Sequence, residues 1–546
     1  MSGAIAATLF IALYGGAAWA DILLTGLARP QSGNIFFRLY ALHELPFLAL
    51  LALMALALAL AGRRARQSPE ADGDTTAVPP LPVPDGRAVT AVAAVVVAVT
   101  LAATVLVMHR LLFSMDEFSV DFQARLFAGG AVRAAVPVAW HRFAALITPI
   151  FVAFRPTTGQ WQSMYLPVYA LAKAPFVALG IGELLNPMFA GLAVVCLAGV
   201  ARRLWPDERL RPWASIALLV TSSEFIVTSA SGYTMPAHLA LNLAWLWLYL
   251  RDDARSWAGA LAIGVLALGL HQPFPHALFV APFLVRLVRD GRWSRVASAA
   301  VVYGVASVGW LLWLRAVQPV AAAGGGGLAS VFALPSLAVL LLHGMNLTVL
   351  CTWQMPLMLA LVVLALARLP QLPAVYTDLA LGVLLTCGLY LLFPATQGHG
   401  WGYRYAYQLL GSLALLGAAG LASLQDVLGA RRAWRLLQGA LLVAVFIQLP
   451  LRLRQTERFV RPFAAANALI AAQRADVVLL RADSVWYGRD LVRNDPFLRH
   501  PVVVGTDNVR SSDRAVLRRL LPGTVVEITD TDLLRLGLTR WTHPVP

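Results

Sequence analysis

VTAVAAVVVAVTLAATVLVMHRLLFSMDEFSVDFQARLFAGG, residues 89–130, runs from a long apolar stretch into an acidic pair and then a short patterned segment. About 20 apolar residues in a helix cross roughly 30 Å of hydrocarbon. Residues 89–113 therefore predict a transmembrane span that ends beside Asp116 and Glu117. Beyond it, helical periodicity puts Phe118, Phe122 and Leu126 on one stripe. Glu117, Asp121 and Arg125 form a second stripe, and Asp116, Ser119 and Gln123 a third. Carboxylates at the end of a span are costly and point to function, which makes Asp116 a candidate catalytic residue. The structural alternatives are that Asp116 caps the following helix and that Asp121 only pairs with Arg125 at i,i+4.

The remaining sequence is of the same kind. Of 546 residues, 59% are hydrophobic and 13% charged, with a mean hydropathy of +0.70. Soluble chains run at about 45–50% and about 25%, so this is an integral membrane protein. Disordered, collagen-like and disulfide-scaffold classes are excluded, and three scattered cysteines build no framework. A net charge of +15 can signal nucleic acid. Here the arginine runs at 62–66, 201–211, 250–255, 286–295 and 430–435 fall in alternate loops. By the positive-inside rule those loops and the N-terminus are cytoplasmic, which explains the charge without nucleic acid.

Spans are expected at 1–24, 42–61, 89–113, 187–204, 213–229, 236–250, 257–271, 274–289, 296–314, 354–369, 377–393, 408–424 and 434–450. That makes an all-α polytopic membrane protein of about 13 spans. Residues 1–62 carry two additional N-terminal helices, and 63–88 read as a Pro-rich cytoplasmic linker. Residues 89–450 form the core, with external loops at 114–186 and 315–353. In the first loop, MYLPVYALAKAPFVALG (164–180) reads as a helix lying at the interface, because Pro167, Lys173 and Pro175 interrupt it. In the second, AAAGGGGLAS (321–330) is a flexible lid or a slack connector. Past 451, ADVVLLRA (475–482), HPVVVGTD (500–507) and TVVEITD (524–530) read as buried strands. Helical stretches at 463–473 and 511–521 complete a small α/β domain, 451–546, on the periplasmic side.

The span ending in Asp-Glu, followed by Q-A-R-x-F-A-x-G, resembles the first external loop of the GT-C glycosyltransferases. Within them it is most similar to the branch of protein O-mannosyltransferases and the bacterial lipid A aminoarabinose transferase. The stretches 186–205, 221–250 and GHGWGYRYAYQLLGSLALLGAAGL (398–421) are similar to later parts of that pattern. The resemblance implies a polyprenyl-phosphate-linked sugar donor such as an undecaprenyl phosphate sugar, an inner-membrane location, an active site facing away from the cytoplasm, and Asp116 as base. Some relatives bind a divalent metal near this point. A second acidic residue found in some members before the 236–250 span is replaced here by YTMPAH. That leaves Asp116, Glu117 and His238 as the metal candidates, with simple packing as the alternative for His238 and the other histidines.

The chemistry can be argued on its own terms. An acceptor hydroxyl loses a proton as it attacks the anomeric carbon, and a carboxylate within hydrogen-bond reach takes it. A phosphate leaving group is already a stable anion. The reaction therefore needs one carboxylate and one cation rather than the two carboxylates of a glycosidase, and single displacement inverts the anomeric centre. Arg404, flanked by Tyr403 and Tyr405, is the first candidate for that cation; the alternative is an arginine snorkelling beside an aromatic belt. Lys173 and Arg125 are further phosphate candidates. Glu117 supports the site, and Gln123, Tyr165, His238, Tyr403 and Tyr405 are the substrate-pocket candidates. Glu224 is a possible second acidic group. No nucleotide-binding motif is present in the sequence. The expected activity is sugar transfer to a periplasmic glycan, lipid or protein acceptor. The rival readings are a polymerase or ligase of lipid-linked glycans and a lipid-linked sugar flippase. Flippases place polar groups at mid-span, whereas the charges here sit at span ends.

Overall fold

The computed structural model describes residues 84–317, 337–393, 401–499 and 501–540, the last apart from 508, 511 and 512, together with isolated positions that include Glu44 and Phe47. The expected spans at 1–24 and 42–61, the linker at 63–88, the glycine run at 324–327 and His399 lie wholly or largely outside the described residues.

The run at 89–113 forms helix α1 (Gly86–Leu106), whose start is capped by the Asp85 carboxylate accepting from Ala88 N. The helix stops short of the acidic pair because His109 and Arg110 take positive φ angles. Residues 107–113 then step off the bundle into α2 (Met115–Ala128). Ser114, not Asp116, caps α2. Its hydroxyl accepts from Asp116 N, and Glu117 reaches back to Ser114 N. This is a capping box, in which Ser and Glu three residues apart satisfy each other's backbone donors.

The expected external loop after α2 contains a small antiparallel sheet. Its strands are β1 (Ala134–Ala135), β2 (Val152–Arg155) and β3 (Gln160–Ser163), in the order β1-β3-β2. The interfacial stretch is α3 (Val168–Ala178), which at 11 residues is too short to cross a bilayer. There follow α4 (Leu185–Leu204), α5 (Leu210–Val220), α6 (Ser223–Ser229), α7 (Met235–Tyr249), α8 (Ala254–Leu268), α9 (Phe274–Arg289) and α10 (Trp293–Val317). After the undescribed stretch come α11 (Leu337–Trp353), α12 (Met358–Leu366), α13 (Ala374–Leu391), α14 (Leu410–Leu428), α15 (Ala430–Val443) and α16 (Leu449–Ala471).

Among the described residues six helices are long and apolar enough to cross a membrane, or up to eight if two bent pairs each count as one span. The expected span at 213–229 is one such pair, α5 and α6, bent by 55°. Two expectations are corrected. The loop placed at 315–353 contains α11, built from the apolar run LAVLLLHGMNLTVLCTW, and the chain bends by 108° between its end and α12. Pro356 sits in that bend, where it disfavours helix at the residue before it. No break occurs at 451 either. α15, a π-helical turn at Ala444–Gln448 and α16 run on as one stretch of 42 residues.

Beyond α16, β4 (Val477–Leu480) lies between β5 (Val502–Gly505) and β6 (Val525–Ile528), all parallel. Every residue of β4 and β5 is buried, as their continuous Val/Leu runs require for strands covered on both faces. One face packs Val478 and Leu480 with Val460 and Phe463 of α16. The other packs Val477 and Leu479 with Phe122 and Leu126 of α2 and Trp161 of β3. The C-terminal strands and the loop at 114–163 therefore share one core. Trp161 fastens it, edge-on to Phe122 at 5.4 Å and donating from Nε1 to Pro496 O at 2.8 Å.

The basic loops gather at the other ends of the helices. Arg295 pairs with Asp252 at 2.6 Å, Arg286 with Asp378 and Arg368 with Asp426. Within the bundle, α12 and α14 approach very closely at Gly420, where a Cβ would lie 1.9 Å from Leu361 O. Small residues are what permit such contact between apolar helices. Gly420→Val is expected to cost about 2 kcal/mol or more by overpacking, read as a lowered thermal midpoint in detergent; an unchanged midpoint would contradict this packing.

Candidate active site

With the cap supplied by Ser114 and Glu117, the Asp116 carboxylate is free to leave the helix start. Its Oδ2 accepts from Arg404 Nη1 at 2.7 Å, and its Oδ1 accepts from the Tyr165 hydroxyl. The two charged side chains are 19% and 11% exposed, so the pair is neither at the surface nor sealed. Tyr165 comes from the link between β3 and α3, and Arg404 from the turn that enters α14.

That turn is tightly held. Gly402 has φ +84°, and a Cβ there would stand 2.4 Å from the Glu224 carboxyl carbon. Arg404 N donates to Gln397 Oε1 at 2.9 Å, and Thr228 donates to Trp401 O at 2.9 Å. The guanidinium lies over the rings of Tyr233 and Tyr405, 5.0 and 5.3 Å from their centroids, in cation–π contact. Its Nε is buried without a hydrogen-bond partner among the described residues.

Burial alone would raise the Asp116 pKa, but the Arg404 charge and the Tyr165 hydrogen bond hold it below the ordinary carboxylate value. Burial and the neighbouring Asp116 keep the Tyr165 phenol protonated, well above its usual range. Glu117 differs. Burial pushes it up to about 7, and its oxygens accept from Gly232 N at 2.9 Å and Ser114 N at 3.4 Å. It ties α2 to the turn before α7.

A cleft of about 530 Å³, counting its open mouth, adjoins the pair. Tyr233, Thr234 and His238 line it from the start of α7, and His271 and Gln272 from the turn between α8 and α9. Tyr390 of α13, with Tyr405 and Gln408, closes the far side. The His271 ring lies 4.0 Å from that of Tyr165, and burial lowers its pKa to about 4.

The structure thus brings Asp116, Arg404, Tyr165, His238 and Tyr405 together. Lys173 and Arg125 lie elsewhere, 2.7 and 2.8 Å from Asp121, beside a second cavity of about 950 Å³. Gln123 ties α2 to the strands, donating to Val132 O and accepting from Ser163 N. Tyr403 is buried behind Arg404. Glu224 is fully buried, bonded to Gln354 Nε2 at 2.6 Å, and supports the Gly402 turn. His276, His141 and His343 bond to Asn242, Val136 O and Phe393 O. Among the described residues no three His, Cys, Asp or Glu side chains converge to hold a metal. The donor set fits one poorly, since a cation and a hydroxyl occupy Asp116 and backbone N–H groups occupy Glu117.

Sequence reasoning missed Arg493. Its Nη1 donates to Leu112 O and its Nη2 to Phe113 O at 2.7 Å, the step that leads into Asp116. These bonds end on backbone carbonyls, which no side-chain pattern announces. Sequence reasoning also missed the Ser114–Glu117 capping box, which the S-x-x-E pattern announces, and gave the cap to Asp116.

No protein-family model matches this sequence, and no curated protein matches it significantly. Solved structures do. ArnT from Cupriavidus metallidurans in the apo state superposes with a TM-score of 0.54 at 12% identity, over 82% of this chain and 94% of that one. The same protein bound to undecaprenyl phosphate gives 0.52 at 15% identity, over 80% and 89%. The chain has the GT-C fold. The Archaeoglobus fulgidus oligosaccharyltransferase tethered to an acceptor peptide also aligns, at a TM-score of 0.40 and 12% identity, over 77% of this chain and 64% of that one. Two of the four segments on which the resemblance rested, 114–130 and 398–421, meet as Asp116 and Arg404.

Two outcomes follow from this geometry. Arg493→Met removes two charge-assisted bonds and is expected to cost roughly 2–4 kcal/mol, with faster proteolysis between α16 and β4; an unchanged unfolding midpoint would count against this tether. Glu117 has a folded pKa above its unfolded value of 4.5. The folded state thus holds the proton more tightly, and stability falls as pH rises from about 4.5 to about 7. Glu117→Gln should flatten that part of the pH–stability curve, measured by chemical unfolding at a series of pH values.

Proposed function

We propose that this protein is a membrane glycosyltransferase that moves a sugar from a polyprenyl phosphate carrier to a hydroxyl acceptor with inversion. The observation that carries this reading is the Asp116–Arg404 pair beside a cleft, at the end of the helices away from the arginine-rich loops. The GT-C fold supports it, since the ArnT structure with that fold was solved bound to undecaprenyl phosphate. In this reading, which the arginine distribution supports, the cleft and the C-terminal strands face the periplasm and the basic loops the cytoplasm.

In this reading Arg404 has two partners in turn. Without donor it is held by Asp116. The donor phosphate then takes the guanidinium, whose Nε has no partner among the described residues, by a charge-assisted fork. Losing that cation returns Asp116 to the basicity its burial favours. The acceptor hydroxyl gives its proton to Asp116 as its oxygen bonds to the anomeric carbon. The bond from that carbon to the phosphate oxygen breaks, and the polyprenyl phosphate leaves as an anion stabilised by Arg404. Tyr165 orients the carboxylate by hydrogen-bonding its other oxygen. The fit found for the residues around Asp116 gives no reason to route a step through a metal.

The test is sugar transfer by the purified full-length protein from membrane-extracted lipid-linked donors. Asp116→Asn is expected to lower turnover by roughly 10²–10⁴-fold, the usual contribution of a general base, with the fold intact by circular dichroism. Full turnover in that variant would remove Asp116 as base. Movement of donor across proteoliposomes without transfer would replace the enzyme with a carrier.

A further inference from the structure

The cleft beside the pair carries a constraint on the sugar. Among the described residues that line it, Asp116 is the sole carboxylate and Arg404 the sole permanent cation, and each holds the other. The remaining polar lining is neutral hydrogen-bonding chemistry, with His238, His271, Gln272 and Gln408 foremost. His238 is 2% and His271 8% exposed, and His238 Nδ1 and His271 Nε2 have no hydrogen-bond partner among the described residues. Buried polar atoms are ordinarily paired, so two unpaired ring nitrogens on one cleft wall mark where a ligand completes the hydrogen bonding.

A sugar hydroxyl is both donor and acceptor, so it satisfies an imidazole nitrogen in either tautomer. The one carboxylate in the lining that an ammonium group on the sugar could meet is Asp116. Arg404 repels the ammonium and already covers the faces of Tyr233 and Tyr405. Pairing it with Asp116 would occupy the base. A sugar carboxylate would compete with the donor phosphate for Arg404. A buried charge left unpaired is strongly disfavoured.

We propose that this cleft takes the donor's sugar and selects a neutral, polyhydroxylated sugar over a cationic amino sugar or an anionic uronic acid, with His238 and His271 as the specificity-determining contacts. The inference rests on the donor reading above and narrows it to a substrate class.

The experiment uses the full-length protein in lipid nanodiscs with four probes. These are undecaprenyl phosphate alone and undecaprenyl phosphate carrying glucose, 4-amino-4-deoxyglucose or glucuronic acid, with affinity measured by competition. The glucose lipid is expected to bind on the order of tenfold or more tighter than either charged analogue, and tighter than the bare phosphate. His271→Phe combined with His238→Leu should bring the glucose lipid to the level of the bare phosphate while leaving the bare phosphate's own affinity unchanged. The wild-type series needs no variant, so a misfolded double variant does not remove the test. Equal or tighter binding of either charged analogue overturns the selection. If the bare phosphate and all three glycolipids bind alike, only this inference fails. If none of the four binds, the polyprenyl phosphate reading fails and takes this one with it.

Discussion

One ion pair joins residues 288 positions apart, Asp116 at the start of α2 and Arg404 before α14, and it does so in a partly buried setting. Charges removed from water need a partner with good geometry or they destabilise the fold. Much of the surrounding structure supplies that geometry. The capping box sets the first turn of α2, and Gly402 lets the chain pass Glu224. Arg493 grips the step before α2 from the C-terminal segment. Each of these contacts fixes backbone, and the side chains that meet in the cleft follow from it.

Helix α2 divides two environments. Asp116 and Arg404 open on the cleft, while Asp121 is saturated by Lys173 and Arg125 on the other side. The sequence offered all three cations as phosphate ligands, and helical periodicity already put Asp116 and Asp121 on different stripes. Lys173 is held by Asp121, and Arg125 by Asp121 and Asp495, so both are engaged within the fold. Arg404 differs because one of its nitrogens, Nε, is buried without a partner among the described residues. A guanidinium held by one carboxylate with a free edge can exchange partners, which a doubly engaged group cannot do at the same cost.

The apolar class of the fold, the interfacial helix near 168–178, the three strands and the Asp-Glu element were all legible, because each rests on a local periodicity or run. The unpredicted features are those made by distance. α11 lay inside an expected loop, although its apolar run of 17 residues is as long as other stretches read as spans. The sheet at 134–163 rests on strands of two and four residues, too short for alternation to show. The continuation of α15 into α16 was obscured by the arginines of LPLRLRQTERFVR, which end the apolar signal without ending the helix. At the site, Asp116 and Arg404 were named from their positions at span ends. Arg493 and the pairing of Glu117 with Gly232 depend on backbone atoms brought near only by folding.

A second buried ion pair ties Glu44 into the same arrangement. Arg452 of α16 is fully buried, and its guanidinium donates to Glu44 at 2.8 and 2.6 Å. Glu44 also accepts from Trp353 Nε1 at 3.0 Å, and the arginine lies over the rings of Phe47 and Trp353. Next to Trp353, Gln354 bonds to Glu224, the residue against which Gly402 is fitted. Glu44 is thus linked to the turn that holds Arg404 through Trp353, Gln354 and Glu224. A buried arginine stripped of its carboxylate is among the costliest defects a core can carry. Loss of the Glu44 carboxylate would leave Arg452 of α16 and Trp353 at the end of α11 to repack, and the site's own supports rest on them.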